Sequence, residues 1–318
     1  MLFDHRIASD RGADFIALAP GGDETILHMT PAFSDRPVVG DWVAVEAAHV
    51  VAIAPRRGVL ARARQDRGAT AQPIAANLDV VFVFTAPGRE FSLPRVERYL
   101  IAIRSAGAQA VVVLNKCDLA RDPAELVADL YAIGPSTNSG EVVVVAISAA
   151  FGDGCDALGA YTAAGTTLAL VGSSGVGKST LANRLLGAHR FATQATRASD
   201  GRGRHTTTRR ELVALPSGAW LVDTPGMRAF APWSDDAALN DVFADVADAA
   251  RRCRFRDCAH DREPGCAVRA EIDAARYQRW RALRAELAYL DRRDDPAALA
   301  QEKRRWKSIT KAQRSHYR

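Results

Sequence analysis

Apolar and polar positions follow three rhythms along the chain, and each predicts a different kind of element. Over the first 70 residues, short apolar-rich stretches near residues 15–18, 25–28, 37–45 and 49–53 are separated by Pro20-Gly21-Gly22 and Ser34-Asp35-Arg36-Pro37. Short β segments punctuated by turn residues predict a small barrel. Among barrels of that size that bind nucleic acid, the five-stranded OB-fold is the expected one.

From about residue 78 the rhythm changes to unbroken apolar runs at 79–85, 110–114, 142–147, 167–171, 211–215 and 219–222. Runs without alternation are what strands buried on both faces of a parallel sheet look like. Helical stretches at 93–106, 123–132 and 179–187 would cover them, giving a doubly wound, mainly parallel α/β domain that ends near residue 233. After Ser234 the chain turns helical and polar, with helices expected over 235–250, over 271–292 and, strongly basic, from about Ala297. The expected fold is therefore multidomain α/β: a barrel over 1–72, the α/β domain over 73–233 and a helical domain with a basic tail over 234–318.

Composition adds little to this picture except by exclusion. With 48% hydrophobic and 25% charged residues, the 318-residue chain has the balance of a folded enzyme and not of a disordered one. Asp4 and Arg6 interrupt any apolar start and no run approaches a membrane span, so a cytoplasmic location without membrane attachment is expected. The net charge of +5 is modest, but its distribution is not. Basic residues gather in the run that begins Arg56-Arg57, in 202–210 and in 303–314, as where a protein meets phosphate backbones; solvated surface is the alternative for any one run.

The sharpest chemical signal is Gly172-Ser173-Ser174-Gly175-Val176-Gly177-Lys178-Ser179-Thr180, which follows a predicted strand and opens a predicted helix. That context defines a phosphate loop. Its glycines let backbone N–H groups turn onto phosphates, Lys178 neutralises β and γ oxygens, and Ser179 can ligate Mg²⁺. Asn115-Lys116-Cys117-Asp118 ends another buried strand, at the edge where open α/β sheets bind ligands. Asp118 can accept two hydrogen bonds from guanine and none from adenine, so GTP is favoured over ATP, with Asn115 and Lys116 bracing the pocket. Ser148 and Ala149 would add backbone contacts to the base. Asp223-Thr224-Pro225-Gly226 supplies an aspartate for Mg²⁺ and, at Gly226, an N–H that senses the γ-phosphate.

The order of these motifs is informative. The base-reading residues at 115–118 and 148–149 precede the phosphate loop, the reverse of a conventional GTPase, so the chain is expected to be circularly permuted. Between the phosphate loop and Asp223 lies Gly201-Arg202-Gly203-Arg204-His205-Thr206-Thr207-Thr208. Thr207 is favoured to complete Mg²⁺ coordination with GTP and release after hydrolysis. Position 227 is methionine, where many GTPases have a water-orienting glutamine, and His205 is the nearest polar substitute. Finally, Cys253, Cys258, His260 and Cys266 place three thiolates and an imidazole within 14 residues, a set that closes a tetrahedral structural Zn²⁺ site. Cys117 and Cys155 are expected to be packing residues.

Taken together, these motifs resemble the small-ribosomal-subunit-dependent, circularly permuted GTPases of the RsgA or YjeQ family, over nearly the whole chain. The resemblance implies an OB-fold, a permuted GTPase domain and a zinc domain. It implies GTP hydrolysis to GDP and phosphate, stimulated by the small ribosomal subunit during its late maturation, with the barrel and tail on rRNA. It places the family's water-orienting histidine on His205, its Mg²⁺ threonine on Thr207 and its zinc ligands on Cys253, Cys258, His260 and Cys266. A monomer acting in the cytoplasm is expected. An RNA-binding scaffold that holds GTP with vestigial hydrolysis, motivated by Met227, stays open from the residues alone, as do a metabolic ATPase and a DNA-binding barrel.

Overall fold

A computed structural model describes residues 2–20, 22–30, 35–63, 71–134, 142–191, 210–223 and 236–294. Five strands, β1 (His5–Asp10), β2 (Asp14–Leu18), β3 (Glu24–Met29), β4 (Trp42–Glu46) and β5 (His49–Ile53), close into a barrel in the order β1-β2-β3-β5-β4-β1, with β3 and β5 parallel. Its interior is Ile7, Phe15, Ala17, Leu27, Val43 and Val50. The OB-like barrel expected from the turn spacing is present. Its first strand was not predicted, because His5, Arg6, Ser9 and Asp10 mask the apolar Ile7 and Ala8. The stretch 37–45 is strand only from Trp42, because Val38–Asp41 forms a turn in which Asp41 Oδ2 accepts from Val38 N at 2.8 Å.

A hairpin of β6 (Val59–Ala63) and β7 (Ala71–Ala76) leads out of the barrel. Gly58 lies so close to the end of the next helix that a Cβ there would meet Ala106 O at 1.8 Å. The α/β sheet follows, built from β8 (Val80–Thr85), β9 (Gln109–Leu114), β10 (Val143–Ala146), β11 (Thr167–Gly172), β12 (Glu211–Ala214) and β13 (Trp220–Asp223) in the order β10-β9-β8-β11-β13-β12. All neighbours are parallel except β12 with β13. Every residue of β8 and β11 is buried, as the unbroken apolar runs required.

Helices α1 (Leu93–Ser105), α2 (Pro123–Tyr131) and α3 (Lys178–Leu186) cover this sheet. Alternate strand residues serve opposite faces: Val81 and Val83 pack toward α1, while Phe82 and Phe84 join Leu181 and Ala182 of α3. Asp122 caps α2 by accepting from Ala124 N at 2.9 Å, and Gly187, at φ +66°, ends α3. Among the described residues the barrel is continuous with the sheet through the pairing of Ser9 of β1 with Glu211 of β12. Arg6 reinforces this seam, lying over Trp42 and Trp220 and donating to Thr167 Oγ1 at 2.5 Å. Burial lowers the Arg6 guanidinium to about 10.

The helical region comprises α4 (Asp236–Val242), α5 (Ala244–Ala250), α6 (Ala267–Glu271) and α7 (Ala274–Asp294). The single helix expected over 235–250 is thus two, broken at Phe243, whose φ of −113° and ψ of 48° leave the helical region and whose ring is fully buried. The helix expected from 271 begins at Ala274, with Asp273 Oδ1 accepting from Ala275 N and Arg276 N at 2.9 and 3.0 Å. Leu239, Val242, Phe243, Val246, Tyr277, Trp280 and Leu283 share one apolar core with α1. The basic helix expected from Ala297 lies outside the described residues.

Candidate functional site

Parallel strands deliver their following loops to one edge, so the segments after β8, β9, β10 and β11 converge there. The glycine-rich loop after β11 is shaped by two close approaches. A Cβ on Gly172, at φ +140°, would meet Phe84 O at 2.7 Å, and one on Gly177, at φ +100°, would meet Asn115 Nδ2 at 2.0 Å. Only glycine fits either place. Lys178, at the first position of α3, turns back so that Nζ donates to Gly172 O at 2.9 Å and Ser173 O at 2.6 Å. The ammonium therefore stands over the loop at the positive end of a helix, where an anion is favoured. Ser179 and Thr180 occupy the first turn of α3.

Asn115 ties three of the motifs together. Its Nδ2 donates to Val176 O at 2.7 Å, its Oδ1 accepts from Ala149 N at 2.9 Å, and its own N–H bonds Thr85 O at 2.9 Å. Buried to 2% exposure, it leaves none of its amide atoms idle at this junction. The chain then turns through Lys116 in the left-handed conformation, φ 62°, into Asp118, whose Oδ1 accepts from Ser148 Oγ at 2.6 Å. Arg184 of α3 donates to Ala149 O at 3.1 Å, fastening the same loop from the other side. Asn115, Lys116, Asp118, Ser148, Ala149 and the loop Gly172–Thr180 are thus brought to one edge. The backbone of Asp223 ends β13 beside β11 at that edge. Gly226, His205 and Thr207 lie outside the described residues.

Two residues of this edge escaped sequence reasoning. Glu90, in the turn after β8, accepts from Ser173 Oγ, and Thr85 Oγ1 donates to Glu90 O at 2.9 Å. No motif spacing marks either one. The signal is a contact across 83 residues.

A second constellation sits between α5 and α7. The ligand atoms of Cys253, Cys258, His260 and Cys266 all lie within 4.8 Å of one another. His260 Nδ1 faces Cys253 Sγ at 3.5 Å and Cys266 Sγ at 3.6 Å. A tetrahedral site with metal–sulfur bonds of about 2.3 Å and metal–nitrogen bonds of about 2.0 Å has edges of about 3.5–3.8 Å, so three thiols and this imidazole fit zinc. The supporting loop is well tied. Glu263 accepts from Ala259 N, Asp261 N and Arg262 N at 2.9–3.0 Å, and His260, at φ 61°, has its carbonyl bonded by Tyr277 Oη and its ring edge-on to Trp280 at 5.7 Å. Against the upward push of burial, the N–H groups of Val268 and Ala267 and the neighbouring thiols hold Cys253 below its ordinary range. Burial and the other two thiols push Cys258 up to about 11. A bound cation would remove that competition for protons.

α7 is clamped to α1 by charge. Glu97, fully buried, accepts from Arg276 Nη1 at 2.8 Å and from Arg279 Nε at 2.9 Å, while Arg276 also reaches Asp245 at 3.1 Å. Arg98 of α1 donates to Glu286 of α7 at 2.7 Å.

A phosphate loop on a central strand, preceded in sequence by the loops that adjoin it in space, and flanked by an OB-like barrel and a Cys₃His module, defines the class: a circularly permuted P-loop GTPase. A family model described as RsgA GTPase matches residues 53–233, and the chain belongs to that family. It is 41% identical to the "Small ribosomal subunit biogenesis GTPase RsgA" of Opitutus terrae, over 98% of this chain and 91% of that one. It is 42% identical to the protein of the same name from Methanosarcina acetivorans, over 86% and 76%. Among solved structures, YjeQ from Thermotoga maritima superposes with a TM-score of 0.64 at 26% identity, covering 89% of this chain and 98% of that one. YloQ, described as a circularly permuted GTPase, gives 0.57 at 23%, covering 89% and 94%, a likeness of fold. The family is one of GTP hydrolases, which disfavours both the vestigial scaffold and the metabolic ATPase. Among the described residues no helix is long and apolar enough to cross a membrane.

Proposed function

We propose that this chain hydrolyses GTP to GDP and phosphate in the late maturation of the small ribosomal subunit, stimulated by that subunit and bound to its rRNA. The observation that carries the nucleotide site is Asn115, which joins the phosphate loop at Val176 to the base-facing loop at Ala149. The same bridge stands beside Asp118, held by Ser148 where a guanine's N1 and N2 donors would arrive. The ribosomal partner is supported by the names of the relatives in Opitutus terrae and Methanosarcina acetivorans.

In this reading Asn115, Lys116, Asp118, Ser148 and Ala149 hold the base. Gly172, Ser173, Ser174, Gly175, Val176 and Gly177 wrap the phosphates, and Lys178 with the N–H groups of Ser179 and Thr180 stabilises the transferring group. Ser179, Thr207 and Asp223 would hold Mg²⁺, which when bound neutralises charge on the β and γ oxygens. Gly226 would sense the γ-phosphate. His205 orients the attacking water when the partner is engaged, so the free enzyme turns over slowly. Cys253, Cys258, His260 and Cys266 hold one structural Zn²⁺ with no position left for water. The division into residues 1–72, 73–233 and 234–318, a monomeric state and a cytoplasmic location belong to the same proposal. Barrel and basic tail meet rRNA through phosphates and shape.

The test is GTP hydrolysis by purified protein, alone and with small subunits, with large subunits and ATP as controls. Stimulation confined to GTP and small subunits supports the reading. Equal stimulation by large subunits would remove the partner assignment, and a His205→Ala variant with full stimulated activity would remove that residue's role.

A further inference from the structure

The phosphate loop is held on one flank by Asn115, and on the other by a residue that no motif identifies. Ser173 Oγ donates to Glu90 Oε2, while the carbonyl of the same serine accepts from Lys178 Nζ at 2.6 Å. One residue of the loop therefore carries both the anchor of the phosphate-binding ammonium and a tether to a carboxylate. Glu90 is itself fixed from three sides. Arg95 Nη1 lies 3.2 Å from its Oε2, Thr85 Oγ1 donates to its carbonyl at 2.9 Å, and the turn closes with Phe91 N on Gly88 O at 3.1 Å. The turn opens into α1, which Glu97 locks to Arg276 and Arg279 of α7. It has little freedom to follow the loop.

We propose that Glu90 is a positioning residue for nucleotide binding, acting through Ser173 to hold the first half of the phosphate loop, and with it Lys178, in the shape that receives a diphosphate. The inference rests on the phosphate-loop site proposed above. A carboxylate that touched the phosphates directly would repel them. One that accepts from a loop hydroxyl instead fixes the backbone on which the lysine rests, and its own charge is partly met by Arg95. The loop grips the β-phosphate in ground state and transition state alike, so its loss is felt in KM and in Kd, and only the part that passes through Lys178 reaches kcat. Hydrogen bonds to charged groups are worth about tenfold or more in an equilibrium constant.

The experiment measures Kd for mant-GDP and mant-GTP, and the single-turnover rate at saturating GTP, for Glu90→Ala, Ser173→Ala, the double variant, Glu90→Gln and Lys178→Ala. Glu90→Ala and Ser173→Ala are each expected to weaken both nucleotides about tenfold. The double variant should be no weaker than the poorer single one, because both remove the same contact. Glu90→Gln, which keeps an acceptor for Ser173, should recover most of the affinity. Unchanged affinity in both single variants, additive losses, or a fall in the saturated rate with unchanged Kd each overturn the inference. Ser173→Ala deletes only a hydroxyl and decides the matter even if Glu90→Ala melts early without nucleotide. Lys178→Ala separates the two levels: unaltered binding there removes the phosphate-loop site itself, whereas lost binding there with unaltered Glu90 and Ser173 variants removes only the inference.

Discussion

The nucleotide-facing edge of the sheet and the Cys₃His module are held together by opposite means. At the edge, strands buried on both faces deliver loops that are then tied by short hydrogen bonds to neutral groups, as at Asn115. The module has α4 and α5 of 7 residues each and α6 of 5, lengths at which helices are marginal on their own. Its cohesion comes from four ligands gathered within 4.8 Å, from one apolar core shared with α1, and from the buried charges of Glu97 and Arg276. A broad sheet organises a site by burial and by hydrogen bonds between the loops it delivers. A small helical unit needs a staple and a neighbour.

The contrast can be broken most forcefully at the four proposed zinc ligands. Chelation, or Cys258→Ser, should unfold the module, since structural zinc contributes about 10–16 kcal/mol at neutral pH. Zinc content and far-UV circular dichroism would record the loss. Nucleotide affinity should survive in large part, and its complete loss would show that the sheet edge depends on the module. Next in size, Asp118→Asn should lower GTP affinity on the order of a thousandfold, because a guanine-reading carboxylate leaves donors unpaired when replaced. Mant-GTP titration reads it, and melting of the protein without nucleotide should not move.

Glu97→Ala sharpens the comparison from the interface. It strands Arg276, 5% exposed, with Asp245 left as its one carboxylate partner among the described residues, and should cost about 3 kcal/mol in urea denaturation. Glu97→Gln should cost only about 1 kcal/mol, as a neutral acceptor remains. Burial pushes the Glu97 carboxyl up, by more than Arg279 and Arg276 pull it down. A raised folded-state value means the folded protein binds the proton more tightly than the unfolded chain. That contribution to stability is complete below the ordinary carboxylate range and is lost as pH rises through the raised value. Glu97→Gln, which mimics the protonated acid, should flatten the slope of stability against pH in that window. An unchanged slope would place the titration elsewhere.

What the sequence determined about this protein is whatever depends on neighbours along the chain. The phosphate loop Gly172–Thr180, the Asn115–Asp118 turn, their permuted order and the ligand spacing from Cys253 to Cys266 were all readable, because each is a local pattern whose chemistry needs those residue types in that order. The buried strands β8 and β11 were readable because a strand covered on both faces has no polar period to hide it. Strand β1 was not, since the closure of the barrel, and not its own alternation, buries Arg6 and Ser9. The break at Phe243 follows from a ring that the shared core pulls inward. Only tertiary structure decided that Asn115 meets Val176 across 61 residues, that Glu90 meets Ser173 across 83, and that Glu97 meets Arg276 across 179. Such contacts have no period or spacing in the chain, because their partners are chosen by the packing of sheet and helices and not by proximity in sequence.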